Sequence, residues 1–354
     1  MELFTENWNI VPREQTNNKN AIFFAISDNY CFAVATLIMS LYKHCAKTAK
    51  SLDILIYHDG LSAKNMALLQ SLHQNTFFIS LQFPRQWQEI VEHPRTARWG
   101  NYVVCKFFGF ELIKKYQTVI HLDADMLVRK DITELFRLKE EVAWRTILGW
   151  NINEIFAPLL SDGEEMHCGN GGMLVFTNKL LKYKIDEHAV LSAYWEIKDL
   201  EDGGIDELII AWLLHKNQAE IKEVDVHIYN TPTIFIKPET KLVHFLNARK
   251  VVSKPWVSLT GYLYFRDWVT YYKKWLKLGG EGPASFSQED YFNLFGYDKA
   301  KEIIELKKKV SSISKELEEK DAQIALLTKK KKKLTADIKK LKQTVKDLKE
   351  KIPQ

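Results

Sequence analysis

The 354-residue chain is long enough to bury one large core with length to spare, and its hydrophobic share of 46% and aromatic share of 12% exclude a disordered or fibrous protein. The net charge of +5 is small and unevenly placed: residues 301–351 carry seventeen lysines against nine acids, so the preceding residues are net acidic and nucleic acid is not an expected partner. Four scattered cysteines exclude a disulfide framework and a cysteine zinc site. The opening residues lack a basic region followed by an apolar run, so a cytoplasmic chain is expected, peripheral on the inner face of the plasma membrane at most.

Residues 1–20 read as a polar, irregular tail. Residues 21–26 form a short apolar strand that breaks at Ser27-Asp28-Asn29-Tyr30 and passes into an apolar helix over 32–42. A strand, a polar turn and a helix open a nucleotide-binding α/β unit, where a helix N-terminus can face a phosphate or a base. Read alone, Asn29 and Tyr30 serve equally well as helix caps. A strand over 52–57, a helix over 64–73 and a strand over 77–83 continue the alternation, which predicts a mainly parallel sheet with helices on its faces. Residues 102–116 predict a helix with Lys106 near its start.

Residues 119–122, Val-Ile-His-Leu, make a continuous apolar strand of the kind covered on both faces. It ends in Asp123-Ala124-Asp125. Carboxylates two residues apart point to one side of extended backbone, where a hard divalent cation could bridge them to a phosphate. Ligands of open α/β sheets lie at the carboxyl ends of strands, where this pair falls. Further on, 131–136 turns into a short helix, 142–150 is a strand, and 151–165 is a polar loop long enough to cover a site. Gly169-Asn170-Gly171-Gly172 then runs into an apolar strand, which implies a backbone that something approaches closely and that Asn170 could hydrogen-bond. Asp202 and Asp206 open a helix over 208–214, where acids favour the helix dipole with or without chemistry. His244 ends a short strand over 242–245.

Aromatic and basic residues interleave over 256–278, which suits either packing against the body or a membrane interface. Over 303–352 apolar residues recur in steps of three and four. Ile303, Val310, Leu317, Ile324, Ile338, Val345 and Ile352 take the a positions, and Leu306, Ile313, Leu327, Leu334, Leu341 and Leu348 take d, with Lys331 and Lys320 as interruptions. This pattern predicts a coiled coil, with a parallel dimer favoured.

Five stretches occur in one order: Ala25 through Tyr30, the Leu-Asp-Ala-Asp-Met-Leu-Val core, Asn170-Gly171-Gly172-Met-Leu-Val, the Ile-Asp-Glu-Leu helix start, and His244-Phe ahead of Lys254-Pro-Trp. Through them residues 21–260 resemble the family 8 retaining glycosyltransferases, the bacterial lipopolysaccharide galactosyl- and glucosyltransferases in particular. The resemblance implies a GT-A fold, a Rossmann-like mixed α/β sheet flanked by helices. It implies Mn²⁺, with Mg²⁺ as a substitute, held by Asp123, Asp125 and His244 on the diphosphate of UDP-galactose or UDP-glucose. Tyr30 would stack on the uridine and Asn29 would make a polar contact. Ala25, Ser27, Ala124 and Asn247 would complete the nucleotide site, Lys254 would neutralise the diphosphate, and Gly171 and Gly172 would line the sugar or acceptor side. Asp206, Asn170 and Lys106 would carry the catalytic roles.

This chain departs from the family in having Ser27 in place of an acid, Lys106 in place of an arginine, and Ile205 in place of a glutamine beside the reacting sugar. Isoleucine offers no acceptor to a developing cation, so front-face transfer assisted by Asp206 is expected. An insertion at 251–253 makes Arg249 or Lys250 alternative phosphate ligands. The expected function is hexose transfer to a bacterial surface glycan (lipopolysaccharide, lipooligosaccharide or capsule). An inactive scaffold dimerised by its coiled coil and a self-glucosylating primer are the competing readings. The expected organisation is a tail (1–20), a catalytic domain (21–260), an aromatic and basic helical segment (261–300) and a coiled coil (301–354).

Overall fold

The computed structural model describes residues 4–6, 9–12, 16–97, 100–245, 266–282 and 297–349, and the chain divides into two units, Met1–Ser285 and Phe286–Gln354. In chain order the first unit contains β1 (Phe4–Thr5), β2 (Asn20–Ile26), α1 (Cys31–Ala49), β3 (Leu52–His58), α2 (Ala63–Leu72), β4 (Thr76–Ser80), β5 (Phe83–Pro84), α3 (Gln88–Glu92), α4 (Pro94–Ala97), α5 (Phe108–Leu112), β6 (Thr118–Leu122) and β7 (Met126–Val128). It continues with β8 (Val142–Thr146), α6 (Ile152–Phe156), β9 (Gly169–Thr177), α7 (Glu187–Ile197), α8 (Ile205–Lys216), β10 (Ile221–Glu223), β11 (Thr231–Pro232), β12 (Leu242–His244) and α9 (Arg266–Lys277).

The main sheet among the described residues has the order β10-β8-β9-β6-β2-β3-β4. Its central strands are apolar almost throughout because helices cover both faces: every residue of β6, and all but two of β2, are buried. Every pairing is parallel except those of β9, which runs antiparallel between β6 and β8. From β2 the chain winds outward through α1 to β3 and β4, then returns to β6 on the other flank of β2. The winding direction therefore reverses between β2 and β6, which opens a crevice at their carboxyl ends. The turn at 27–30 and the carboxylates at 123 and 125 both follow directly on those ends. Since β9 is reversed, it is the beginning of that strand, Gly169 to Gly172, that reaches the same edge. A smaller sheet, β11-β12-β7, sets His244 opposite Met126.

Several local expectations are corrected. The polar tail is ordered where it meets the body: β1 pairs with β5, the Tyr57 hydroxyl donates to the Ile10 carbonyl at 2.7 Å, and Thr16 and Asn18 donate to the buried Asp53 at 3.0 and 2.7 Å. Polar groups of this irregular stretch thus satisfy a buried carboxylate. The strand expected over 77–83 breaks after Ser80. The helix expected over 102–116 begins as 3₁₀ turns over Asn101–Phe107, where the β-branched pair Val103 and Val104 disfavours α geometry. The loop over 151–165 contains α6, anchored by Phe156 stacking on Trp212 with centroids 5.8 Å apart.

Helix α9 settles how its own aromatics are used. Trp268 and Tyr272 stack at 5.0 Å and both meet Phe32 of α1 edge-on, while Trp275 is fully buried and Lys273, Lys274 and Lys277 face outward. Their hydrophobic faces are spent on the body. The other aromatics of 256–278 that precede Arg266 lie outside the described residues.

The second unit is α10 (Tyr297–Lys349), a helix of 53 residues and so roughly 80 Å long. Its apolar seam is open in the single chain: Val310, Leu317, Ile324, Leu327 and Leu334 are 58–63% exposed.

Candidate functional site

Chain direction explains why two carboxylates and an imidazole meet. Strand β6 delivers Asp123, the chain turns through Ala124 and Asp125 into β7, and β12 pairs antiparallel to β7 so that the Phe245 N–H donates to the Asp125 carbonyl at 3.0 Å. His244 Nε2 then lies 3.1 Å from Asp125 Oδ1 and 3.5 Å from Asp123 Oδ2, and the ligating atoms of all three residues fall within 4.8 Å of one another. Adjacent ligand atoms on an octahedral cation with bonds of about 2.1 Å are roughly 3 Å apart, and the two distances from His244 Nε2 are near that value. Two hard oxygens and one nitrogen fit Mn²⁺ or Mg²⁺. Asp123 is further oriented by His121, whose Nε2 donates to Oδ1 at 3.2 Å and leaves Oδ2 for the cluster. Burial opposes the charge on Asp123, but Lys106, the His121 hydrogen bond and His244 outweigh it and hold the carboxyl well below the usual range.

A chain of side chains runs behind the imidazole. His244 Nδ1 is 2.7 Å from Asn230 Oδ1, Asn230 Nδ2 donates to Asn170 Oδ1 at 2.9 Å, and Asn170 Nδ2 donates to Glu207 Oε1 at 3.1 Å. Backbone groups pin it: the Gly171 N–H donates to Glu207 Oε1 at 2.6 Å and the Gly172 N–H to Asn170 Oδ1 at 3.3 Å. The two glycines are required by close approach. A Cβ on Gly171 would stand 2.4 Å from Lys106 Nζ, and one on Gly172 would stand 2.4 Å from His244 Cε1.

Across the crevice the site is closed by an ion pair. Lys106 Nζ and Asp206 Oδ2 are 2.6 Å apart with side chains only 7% and 5% exposed. Burial disfavours the ammonium, but Asp206, Asp123 and Glu207 together raise the Lys106 pKa above its ordinary value. Burial and the neighbouring Asp206 push Glu207 up to about 7. Ile205 is buried in the core, so it offers neither an acceptor nor a surface to the crevice.

On the β2 flank, Asp28 Oδ1 accepts from the Ser62 N–H and Asn65 Nδ2, both at 2.9 Å, which ties the 27–30 turn to α2. Ser27 accepts the Tyr30 N–H at 3.0 Å and closes that turn. Asn29 and Tyr30 are left exposed, Tyr30 by 43%, and burial followed by Asp125 raises the Tyr30 phenol. Ala25 lies in β2 just before the turn.

The structure thus brings together Asp123, Asp125, His244, Asn170, Gly171, Gly172, Lys106 and Asp206, with Ala124 between the carboxylates. Asn247, Arg249, Lys250 and Lys254 lie outside the described residues. Sequence reasoning passed over Asn230, treated Glu207 only as a motif member, and read His121 as a strand residue. Asn230 is fully buried and held at φ +49°, a left-handed conformation that asparagine tolerates better than most residues. Its only trace in the sequence is an asparagine before Thr-Pro.

Residues 21–260 match the family model described as Glycosyl transferase family 8. Among solved structures, the chain is similar to the galactosyltransferase LgtC in complex with donor and acceptor sugar analogs, at 16% identity and a TM-score of 0.56, covering 73% of this chain and 99% of that one. It is also similar to an active-site mutant of LgtC, at 17% identity and a TM-score of 0.50, covering 65% of this chain and 88% of that one. No curated protein sequence matches the chain. These structural likenesses establish a mixed α/β sheet of GT-A type.

Proposed function

Because the chain belongs to glycosyl transferase family 8 and is therefore a sugar-transferring enzyme, we propose that it moves galactose or glucose from UDP onto a hydroxyl of a bacterial surface glycan, with retention of configuration and with Mn²⁺ or Mg²⁺ as cofactor. The observation that carries this reading is the convergence of Asp123, Asp125 and His244 from separate strands onto one point at the edge where β2 and β6 part.

In this reading Asp123 Oδ2, Asp125 Oδ1 and His244 Nε2 hold the cation. When bound, it supplies positive charge that stabilises the departing diphosphate without a proton transfer. Tyr30 and Asn29, projected by the anchored 27–30 turn, receive the uridine, Tyr30 through the face of its ring. The Lys106–Asp206 pair and Asn170 fix the orientation of the hexose. The anomeric C–O bond breaks with its electron pair going to UDP, the acceptor hydroxyl bonds to the same face, and its proton passes to the leaving phosphate oxygen. Burial of Ile205 supports a route that needs no side chain at that position. The family's diphosphate lysine is Lys254 here, and it belongs to the proposal on the strength of the sequence alone.

The exposed seam of α10 supports a further part of the reading, a parallel homodimer. Sedimentation equilibrium should give twice the mass of the chain, and Leu317→Asp with Ile324→Asp should return it to a monomer.

A panel of UDP-sugars assayed with Mn²⁺ tests the activity. One hexose donor is expected to be hydrolysed slowly without acceptor, and Asp125→Ala should abolish this. Absence of turnover with every UDP-hexose under both cations would overturn the reading.

A further inference from the structure

The hydrogen bonds behind His244 have a direction, and it can be deduced from atoms whose identity is beyond choice. A backbone N–H can only donate. The Gly172 N–H points at one terminal atom of the Asn170 amide at 3.3 Å, so that atom is the oxygen. The other terminal atom is then the nitrogen, and it faces Glu207 Oε1, an acceptor already engaged by the Gly171 N–H. The Asn170 oxygen also faces Asn230 at 2.9 Å, so the Asn230 atom there must be the amide nitrogen. The remaining Asn230 atom is an oxygen, 2.7 Å from His244 Nδ1. An oxygen acceptor at that distance requires a hydrogen on Nδ1. With Nδ1 committed to Asn230, Nε2, the atom turned to Asp125 and Asp123, is the one that can give up its hydrogen to a cation.

We propose that Glu207, Asn170 and Asn230 form a positioning relay that holds His244 in its Nδ1–H form and so makes Nε2 the ligand atom. The proposal rests on the reading of Asp123, Asp125 and His244 as a cation site. It adds that the ligand is prepared before the cation arrives, by residues that touch neither cation nor nucleotide. Three features support a built device. Asn230 is fully buried and kept in a left-handed backbone conformation, a strain retained where the surroundings over-determine it. Gly172 has no side chain, which lets β9 pass close behind the imidazole. The relay also engages the Asn170 oxygen twice, from the Gly172 N–H and from Asn230 Nδ2, which fixes that amide in one orientation.

Outer hydrogen bonds to a ligating histidine are typically worth 10–100-fold in metal affinity. The test uses the full chain labelled with ¹⁵N-histidine and free of metal, at a pH where imidazoles are neutral, with the His244 signals assigned by their loss in His244→Ala. The wild type should show a protonated Nδ1, whether or not Nε2, which faces two carboxylates, also carries a hydrogen. Asn230→Gly tolerates the left-handed backbone and removes the amide. It should mix the tautomers and weaken binding of Mn²⁺ alone, followed by loss of the free-ion EPR signal, by 10–100-fold. Asn230→Asp keeps an acceptor for Nδ1–H and should hold the tautomer, with affinity within a few-fold of wild type. A wild-type His244 with no hydrogen on Nδ1 overturns the relay, as does Asn230→Gly binding Mn²⁺ like wild type, or Asn230→Asp losing as much as Asn230→Gly. Should Asn230→Gly not fold, the wild-type tautomer and Asn230→Asp decide the matter. If the wild type binds no Mn²⁺, the cation reading fails while the tautomer still decides the relay.

Discussion

Asp206 and Asp123 are carboxylates in one crevice, but their charges are answered differently. Asp206 is neutralised from within by Lys106 at 2.6 Å, in a pair almost sealed from solvent. Asp123 and Asp125 share an imidazole whose Nε2 is turned toward them, and Lys106 reaches Asp123 only as a neighbouring charge. One flank is complete as folded; the other carries an excess of negative charge that a divalent ion would answer. Under the proposed activity, such a division would keep the sugar end rigid while nucleotide and cation come and go.

The largest expected effect breaks the open flank. Asp125→Ala should lower Mn²⁺-dependent UDP-hexose turnover by more than about 100-fold, with little change in the urea midpoint of unfolding. The closed flank should respond the other way round. Lys106→Met leaves Asp206 buried and unpaired, and should destabilise the fold by about 3–5 kcal/mol in equilibrium unfolding, whereas Lys106→Met with Asp206→Leu should recover most of the loss. If the double variant is as unstable as the single one, the pair is not the self-contained unit described. A subtler probe is Gly172→Ala, whose methyl would press on the His244 ring. Mn²⁺ affinity should fall roughly tenfold or more while the Lys106 flank is untouched. The smallest effect is a slope. The Glu207 carboxyl titrates at about 7 when folded and near about 4.3 in an unfolded chain. Between those values the folded state holds the extra proton, so this group's contribution to stability is present at low pH and is lost as pH rises through 7. Glu207→Gln should flatten that part of the stability profile.

The open flank was legible in the sequence because its ligands are local or end-marked: Asp-Ala-Asp closes an apolar strand, and His244 closes another. That the two strands meet was not legible from spacing, since β12 pairs with β7 across more than a hundred residues; the family resemblance supplied it. The parallel part of the sheet followed from alternating strand and helix patterns. The reversal of β9 did not, because a strand covered on both faces reads the same in either direction. Asn230 and Glu207 escaped for a related reason. Hydrogen-bond partners recruited from loops and helix ends carry no periodicity, and a buried asparagine looks like any turn residue until its neighbours are known. The role of the tail up to residue 20 was not legible, because its polar groups answer Asp53, whose burial only the fold reveals.

The backward entry of β9 has an engineering corollary. The segment that feeds it, including α6, comes to the crevice from the opposite direction to β2 and β6, with Ile152, Phe156 and Met166 rooted in the core and exposed residues between them. Under the proposed transfer, exchanges at the exposed positions between Asn151 and Met166, with Ile152 and Phe156 kept, are where retargeting of the acceptor should begin.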